Sequence, residues 1–286
     1  MNTHAAEGDV LVAVADPDHV QQLVRTASAL TDGTVRLVTV VVKPHDSPFG
    51  LFSDDTIRRD FAGDSRDLLA RADPPAGVSV ERDLVVGRSV ADGLLAAVAE
   101  YDSNALIVGW QGGSRTDSIL GSTVDRLVER AACDLYVERV GRLAGDIDSV
   151  LLPVAGGPHV RPAARMAGSL AARYEATVRI LSVATPDADD PGRHVDEAKA
   201  AVTAAAPVPV ETSVEPGPSA VEAIVEAAAD ADAVVLGATR RGALRRRLVG
   251  SVPQRVVDRT DTAVILARSE SVVGGPLGRL GTVLRG

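Results

Sequence analysis

Residues 231–257 read Ala-Asp-Ala-Val-Val-Leu-Gly-Ala-Thr-Arg-Arg-Gly-Ala-Leu-Arg-Arg-Arg-Leu-Val-Gly-Ser-Val-Pro-Gln-Arg-Val-Val. The run up to Leu236 is apolar apart from Asp232 and predicts a buried strand. A loop carrying Gly237, Thr239, Arg240 and Gly250 comes next. Val252, Val256 and Val257 then recur at helical spacing, with Ser251 placed to cap the helix. Strand, glycine-rich loop and helix N-terminus is the layout that turns backbone N–H groups toward an anion. The same order occurs earlier: Ala105 to Gly109, a loop with Gly112 and Gly113, then Gly121-Ser122-Thr123 opening another helix.

Working outward, the second occurrence is one part of a whole repeat. Val10 to Val20 aligns with Val150 to Val160, with six of eleven positions identical. Thr34-Val35-Arg36-Leu37-Val38-Thr39-Val40 matches Thr177-Val178-Arg179-Ile180-Leu181-Ser182-Val183. Gly87-x-Ser89 matches Gly217-x-Ser219, Gly109 matches Gly237, and Gly121-Ser122 matches Gly250-Ser251. The order is the same in both halves, so the chain is a tandem duplication. The boundaries are 1–140 for the first domain, 141–147 for a linker, 148–268 for the second domain and 269–286 for a flexible tail.

Within each half, strand and helix signals alternate. Asp9 to Ala15, Thr34 to Val42, Val78 to Val86, Ala105 to Gly109 and Leu135 to Val137 predict strands. Between them lie helices on Val20 to Leu30, Phe52 to Ala72, and Val90 to Val98, and one ending near Ala131. Alternation of this kind gives right-handed βαβ units and a doubly wound parallel sheet, an α/β fold.

Composition narrows the function classes. Aromatics make up 2% of the 286 residues and the net charge is −9. Stacking platforms and a basic face for nucleic acid are therefore not expected. Lys43 and Lys199 are the only lysines; this bias, with abundant Asp, fits a salt-adapted organism such as a halophilic archaeon. Cys133 is the single cysteine, which leaves no disulfide framework and predicts a small buried hydrophobe. No apolar run approaches the roughly 18 residues of a membrane span, and Met1 to Gly8 lacks a leader pattern. A cytoplasmic protein without membrane insertion is expected.

These motifs together resemble a tandem universal stress protein, over about Asp9 to Arg268. The resemblance rests on the Val-rich opening strand, the Gly-x-Ser before the third helix, and Gly-x-x-Gly followed at a distance by Gly-Ser. It implies two five-stranded parallel sheets of order 3-2-1-4-5, adenine nucleotide alpha hydrolase-like. It also implies a ligand beyond the strand carboxyl ends at the switch point. Carried onto this sequence, the cofactor is ATP or another adenine nucleotide, with Mg²⁺ as an accompanying ion. The adenosine would lie near Ala15, Asp16 and Val40 in the first half and near Ala155 and Val183 in the second. The phosphates would lie on Gly109, Gly112, Gly121, Ser122 and Thr123, and on Gly237, Thr239, Arg240, Gly250, Ser251 and Val252. Pairing through fifth strands implies that Leu135 to Val137 lies beside Ala263 to Leu266 in an internal pseudo-dimer.

The sequence departs from the family pattern in three places. Nucleotide binders of the family carry Asp at the end of strand 1, where this chain has Ala15 and Ala155; Asp16 comes one step late, and Gly156 stands in its place in the second half. Arg240 replaces the second loop glycine. The first-half loop has eight residues before Gly121 where nine are usual. The first half, which keeps Gly109 and Gly112, is the closer of the two to the pattern.

Other signals carry two readings each. Arg240, Arg241 and Arg245 to Arg247 either neutralise a polyphosphate or form a solvated face. His19 and His159 occupy equivalent positions, as ligand contacts or as conformational residues. Trp110 either stacks on a base or covers the inter-domain seam. Ser122 and Ser251 lack a nucleophile elbow. The leading expectation is a regulatory module that binds an adenine nucleotide with little or no catalysis, and is not an enzyme. The alternative is a nucleotide-independent interaction module acting on a partner such as a membrane transporter. A nucleotide-activating transferase on the same architecture would need an acid/base pair, which the sequence does not bring out.

Overall fold

Val10 to Ala13 and Ala105 to Val108 are hydrophobic on both faces, and the computed structural model shows why. It describes residues 9–43, 52–60, 62–73, 77–111, 121–142, 145–186, 188–238 and 251–272. In the first half β1 (Val10–Ala13), β2 (Thr34–Val42), β3 (Ser79–Gly87), β4 (Ala105–Trp110) and β5 (Asp134–Arg139) alternate with helices. These helices are α1 (Val20–Leu30), α2 (Asp54–Asp60), α3 (Gly63–Ala70), α4 (Val90–Glu100) and α5 (Gly121–Arg130). The second half repeats the plan with β6 (Ser149–Pro153), β7 (Thr177–Ala184), β8 (Val210–Pro216), β9 (Ala233–Gly237) and β10 (Ala263–Arg268). Its helices are α6 (Val160–Tyr174), α7 (Pro191–Ala205), α8 (Ala220–Ala229) and α9 (Ser251–Arg259). Each half has the order 3-2-1-4-5, and the two join in one ten-stranded sheet, β3-β2-β1-β4-β5-β10-β9-β6-β7-β8.

Two apolar layers cover this sheet, one on each face. Val10, Val12 and Leu37 share one layer with α1, α3, α6 and α7. Leu11, Val38 and Leu106 share the other with α4, α5, α8 and α9. Both layers run across the seam, and α1 packs against α6 there. Cys133 is fully buried, and desolvation pushes its thiol up to about 12, so it stays protonated as a small hydrophobe. Trp110 ends β4 half-buried and packs on the second layer.

The seam is antiparallel: Ile265 faces Glu138, Leu266 faces Val137, Ala267 faces Tyr136 and Arg268 faces Leu135. This is the pairing expected of the fifth strands, and it removes two sheet edges at once. Two buried arginines lock it reciprocally. Arg139 donates to the carbonyl oxygens of Val257, Thr260 and Thr262 at 2.7, 2.8 and 2.7 Å. Arg268 donates to those of Leu127, Ala131 and Cys133 at 3.2, 2.8 and 3.1 Å. Each guanidinium thus crosses from one half to the C-terminal end of the other half's last helix, where orphan carbonyls and the negative end of the helix dipole lie.

Beside Arg139 lies Glu138, a buried carboxyl pushed up to about 7 by desolvation, against the opposing hydrogen bonds from Gln22 (2.7 Å) and Thr26. The sequence reading differs from the structure over 52–72, where one helix was expected. Two form, because Ala62 leaves helical geometry (φ −115°, ψ 28°) and is followed by Gly63, a poor helix former. The Gly-x-Ser motif is explained on both sides. A Cβ on Gly87 would come within 2.8 Å of Gly93 backbone, and Ser89 Oγ accepts from the Asp92 N–H at 3.1 Å as the cap of α4. Ser219 caps α8 in the same way.

Candidate functional site

At the carboxyl ends of β6, β7 and β9, between the first helix and the last helix of the second half, the described residues enclose a cavity of about 510 Å³. This is the topological switch point of a 3-2-1-4-5 sheet: β7 leads off to one side of β6 and β9 to the other, and the connections leave a crevice. Its walls come from Val154 to His159 after β6, Leu181 to Val183 on β7, Ala220 and Ile224 on α8, Leu236 and Gly237 on β9, and Ser251 to Pro253 on α9. Polar groups are few: Ser182, Thr185, Asp189, His159, His194 and Ser251. A mostly apolar cleft with a few fixed polar groups is the form of a small-molecule site.

Local sequence explains how the walls are held. Gly156 and Gly157 have φ values of +73° and +93°, which glycine adopts without strain. Gly156 is needed for a second reason: a Cβ there would lie 2.6 Å from Nε2 of His194. The His194 ring, buried on the first turn of α7, therefore rests against the main chain at Gly156, one residue beyond the position where the family pattern has its Asp. Asp190 caps that helix through the N–H of Arg193 at 3.1 Å, with Pro191 opening it. His159 caps the opposite wall from the start of α6, and its Nδ1 accepts the Ser269 N–H at 3.1 Å. As an acceptor Nδ1 carries no proton, which leaves Nε2 as the donor of the ring. Gly237 meets the backbone of this histidine; a Cβ would stand 3.1 Å from His159 Cβ.

The predicted site residues divide by half. Ala155, Val183, Gly237, Ser251 and Val252 come together on the cavity. Ser251 is the first residue of α9. Gly112, Thr239, Arg240 and Gly250, and with them the arginine cluster through Arg247, lie outside the described residues. In the first half, Ala15 and Asp16 come after β1, and Gly121, Ser122 and Thr123 form the first turn of α5. Asp16 is engaged by its own neighbours: Gln111 Nε2 donates to its Oδ2 at 3.1 Å and also lies 3.1 Å from His19 Nε2. Val40 packs on Gly93 of α4, and a Cβ on Gly109 would strike Val140 Cγ1 at 2.9 Å. These contacts give Val40 and Gly109 packing roles. The half closer to the family pattern in sequence is thus not the half in which this cavity opens. Thr185 and Asp189 on the β7–α7 connection, and His194 on the first turn of α7, escaped the sequence reading because this is the least similar part of the two repeats.

Fold and site together define a class: a duplicated doubly wound α/β protein with a ligand-sized crevice at one switch point. The profile of the universal stress protein family matches residues 8–139 and 147–268, and the chain belongs to that family. Among solved structures it is similar to a universal stress protein from Archaeoglobus fulgidus, at 15% identity over 94% of this chain and 98% of that one, with a TM-score of 0.63. A putative universal stress protein from Pseudomonas aeruginosa is 16% identical over 98% of both chains, with a TM-score of 0.59. The cytoplasmic domain of a prokaryotic cation chloride cotransporter is 10% identical over 92% of this chain and 96% of that chain, with a TM-score of 0.57. At such identities these likenesses speak for the fold alone. No curated protein matches the chain.

Proposed function

We propose that the chain is a universal-stress-type regulatory protein that takes an adenine nucleotide in the cavity of its second half, with little or no catalysis. The observation carrying this reading is the cavity itself: about 510 Å³ at the switch point, with the first turn of α9 on its wall. Its size and chemistry fit a nucleoside. Val154, Val183 and Ile224 supply flat apolar contact for a base, and Ser182 and His159 supply fixed polar groups. The phosphates would extend toward Gly237 and the α9 start, where the Ser251 hydroxyl and the first-turn N–H groups of Ser251 and Val252 favour an anion. If the nucleotide is ATP, Mg²⁺ would accompany the outer phosphates.

The test is a thermal-shift series with AMP, ADP and ATP in Mg²⁺ buffer. A nucleotide at 100 times its dissociation constant adds about 2.7 kcal/mol of stability. Ala155→Trp, which places a ring over the crevice from an exposed position, should remove the shift without lowering the unliganded melting temperature. An unchanged shift in that variant would place the ligand elsewhere.

A second reading concerns the first half. Its Gln111 side chain lies 3.1 Å from both Asp16 Oδ2 and His19 Nε2, which favours a surface that has exchanged ligand binding for partner binding. A membrane transporter is the partner class suggested by the architecture shared with a cotransporter's cytoplasmic domain. Co-purification that survives Gly121→Val but fails when Asp16, His19 and Gln111 are replaced together would support it.

A further inference from the structure

Three polar side chains on the second-half cavity are buried: Ser182, His159 and His194. The protein itself engages two of them. Ser182 Oγ donates to the Val154 carbonyl at 3.0 Å, and His159 Nδ1 accepts the Ser269 N–H at 3.1 Å. The His194 ring is 5% exposed and has no hydrogen-bond partner among the described residues. Buried polar groups normally have one, and leaving one without costs stability. The cavity that this ring lines is where a partner can reach it.

The surrounding chain makes room for this ring and holds it. Gly156 has in the second half the place of Asp16 in the first, and the two halves use that place in opposite ways. Asp16 accepts from Gln111 Nε2 at 3.1 Å, within its own half. Gly156 puts no side chain there, and the His194 ring takes the space: a Cβ on Gly156 would lie 2.6 Å from Nε2. The first turn of α7, which carries the ring, is fixed by the Asp190 cap and by Pro191. The polar group at this corner thus comes from α7 and not from the loop after β6, and it comes without a partner. Ionised Asp can only accept hydrogen bonds, whereas an imidazole always has a donor and never a negative charge.

In the sheet, β6 lies between β7 and β9. His194 reaches the cavity from the β7 side and Ser251 from the β9 side. A nucleotide whose phosphate sits at the α9 start therefore lays its base toward α7. We propose that His194 is the residue that reads this base, through a hydrogen bond between its imidazole and the polar edge of the base. The proposal rests on the nucleotide reading of the cavity and adds to it the residue that sets selectivity and the direction in which the ligand lies. Val183 and Ile224 hold a flat ring by apolar area, which does not tell one base from another; His194 supplies the directional contact.

The experiment compares the full chain with its His194→Leu and His194→Phe variants. Without ligand, at least one variant should melt as high as the parent chain or higher, because the ring has no protein partner to lose. In calorimetric titrations with AMP, both should bind about tenfold more weakly, the worth of one net hydrogen bond. In the parent chain AMP should also shift the ring-nitrogen resonances of His194, and ribose 5-phosphate, which has no base, should leave them in place. A lower melting temperature in both variants would make His194 a structural residue and overturn the proposal. So would unchanged AMP affinity in both, or ring-nitrogen shifts of equal size with ribose 5-phosphate. The two readings fail differently. AMP binding that both variants keep refutes the role of His194 alone, whereas no AMP binding to the parent chain refutes the nucleotide reading and this proposal with it.

Discussion

Replacing Arg139 with Met should cost this protein several times what an ordinary substitution costs, although the residue does not line the candidate ligand site. Its guanidinium makes three hydrogen bonds of 2.7 to 2.8 Å to carbonyls at and just beyond the end of α9. It is 8% exposed. Hydrogen bonds to a charged group contribute about 1.5–3 kcal/mol each, so an unopposed sum would reach about 5–9 kcal/mol. Two effects reduce it. Burial has already lowered the affinity of this guanidinium for its proton, with Arg142 adding repulsion, so part of the gain is spent on desolvation. Water can also reach Thr260 and Thr262, which are only part-buried. The net expectation is a loss of about 2–4 kcal/mol, which lowers the melting temperature by roughly 5–15 °C for a chain of this size. Urea unfolding followed by far-ultraviolet circular dichroism measures it. Arg268→Met, its reciprocal across the seam, should cost a similar amount, and Arg139→Lys should recover only part of the loss because an ammonium lacks the fork. A loss below about 1 kcal/mol in both methionine variants would refute the idea that these arginines hold the halves together.

The same structure dictates three further outcomes. Glu138 has its carboxyl raised from 4.5 to about 7; its contribution is fully present below about 4.5 and is lost as pH rises through 7, to a total of about 3 kcal/mol. Glu138→Gln should therefore stabilise the protein at pH 8 and leave it nearly unchanged at pH 4.5, and equal effects at both pH values in urea titrations would contradict this. Gly156→Ala forces a Cβ onto a positive-φ backbone against His194 and should cost about 1–3 kcal/mol. Adding His194→Ala should relieve the steric share, so a strictly additive double-mutant cycle would count against the contact. Cys133, with its thiol pushed up to about 12 and its side chain buried, should react with a disulfide reagent only at the rate of unfolding; rapid labelling of the native protein would be inconsistent with that burial.

Much of the architecture could be read from patterns that depend on neighbours in the chain. Valine runs such as Val10 to Val14 signal strands buried on both faces, and the repeated Thr34 and Thr177 segments signal duplication. Ser89 and Ser219 are caps whose bonding partners lie three residues away, within reach of a local reading. The features that escaped depend on residues distant in sequence. Arg139 stood out in no pattern near the end of the first domain, because its acceptors lie more than a hundred positions away. His194 carried no pattern of its own; only its approach to Gly156 shows why a side chain is not accommodated at that position. Gly109 and Gly237 illustrate a different difficulty. A glycine kept for close helix packing and a glycine kept for a phosphate look identical in sequence, and these two have packing partners in Val140 and His159.

Calorimetric titration of the full chain with AMP and with ATP in Mg²⁺ buffer tests the central claim most directly. One saturable binding event per chain, abolished by Ala155→Trp in the second half and untouched by Ala15→Trp in the first, is the predicted result. No heat and no stability change with either nucleotide, or binding that Ala15→Trp removes and Ala155→Trp does not, would contradict it.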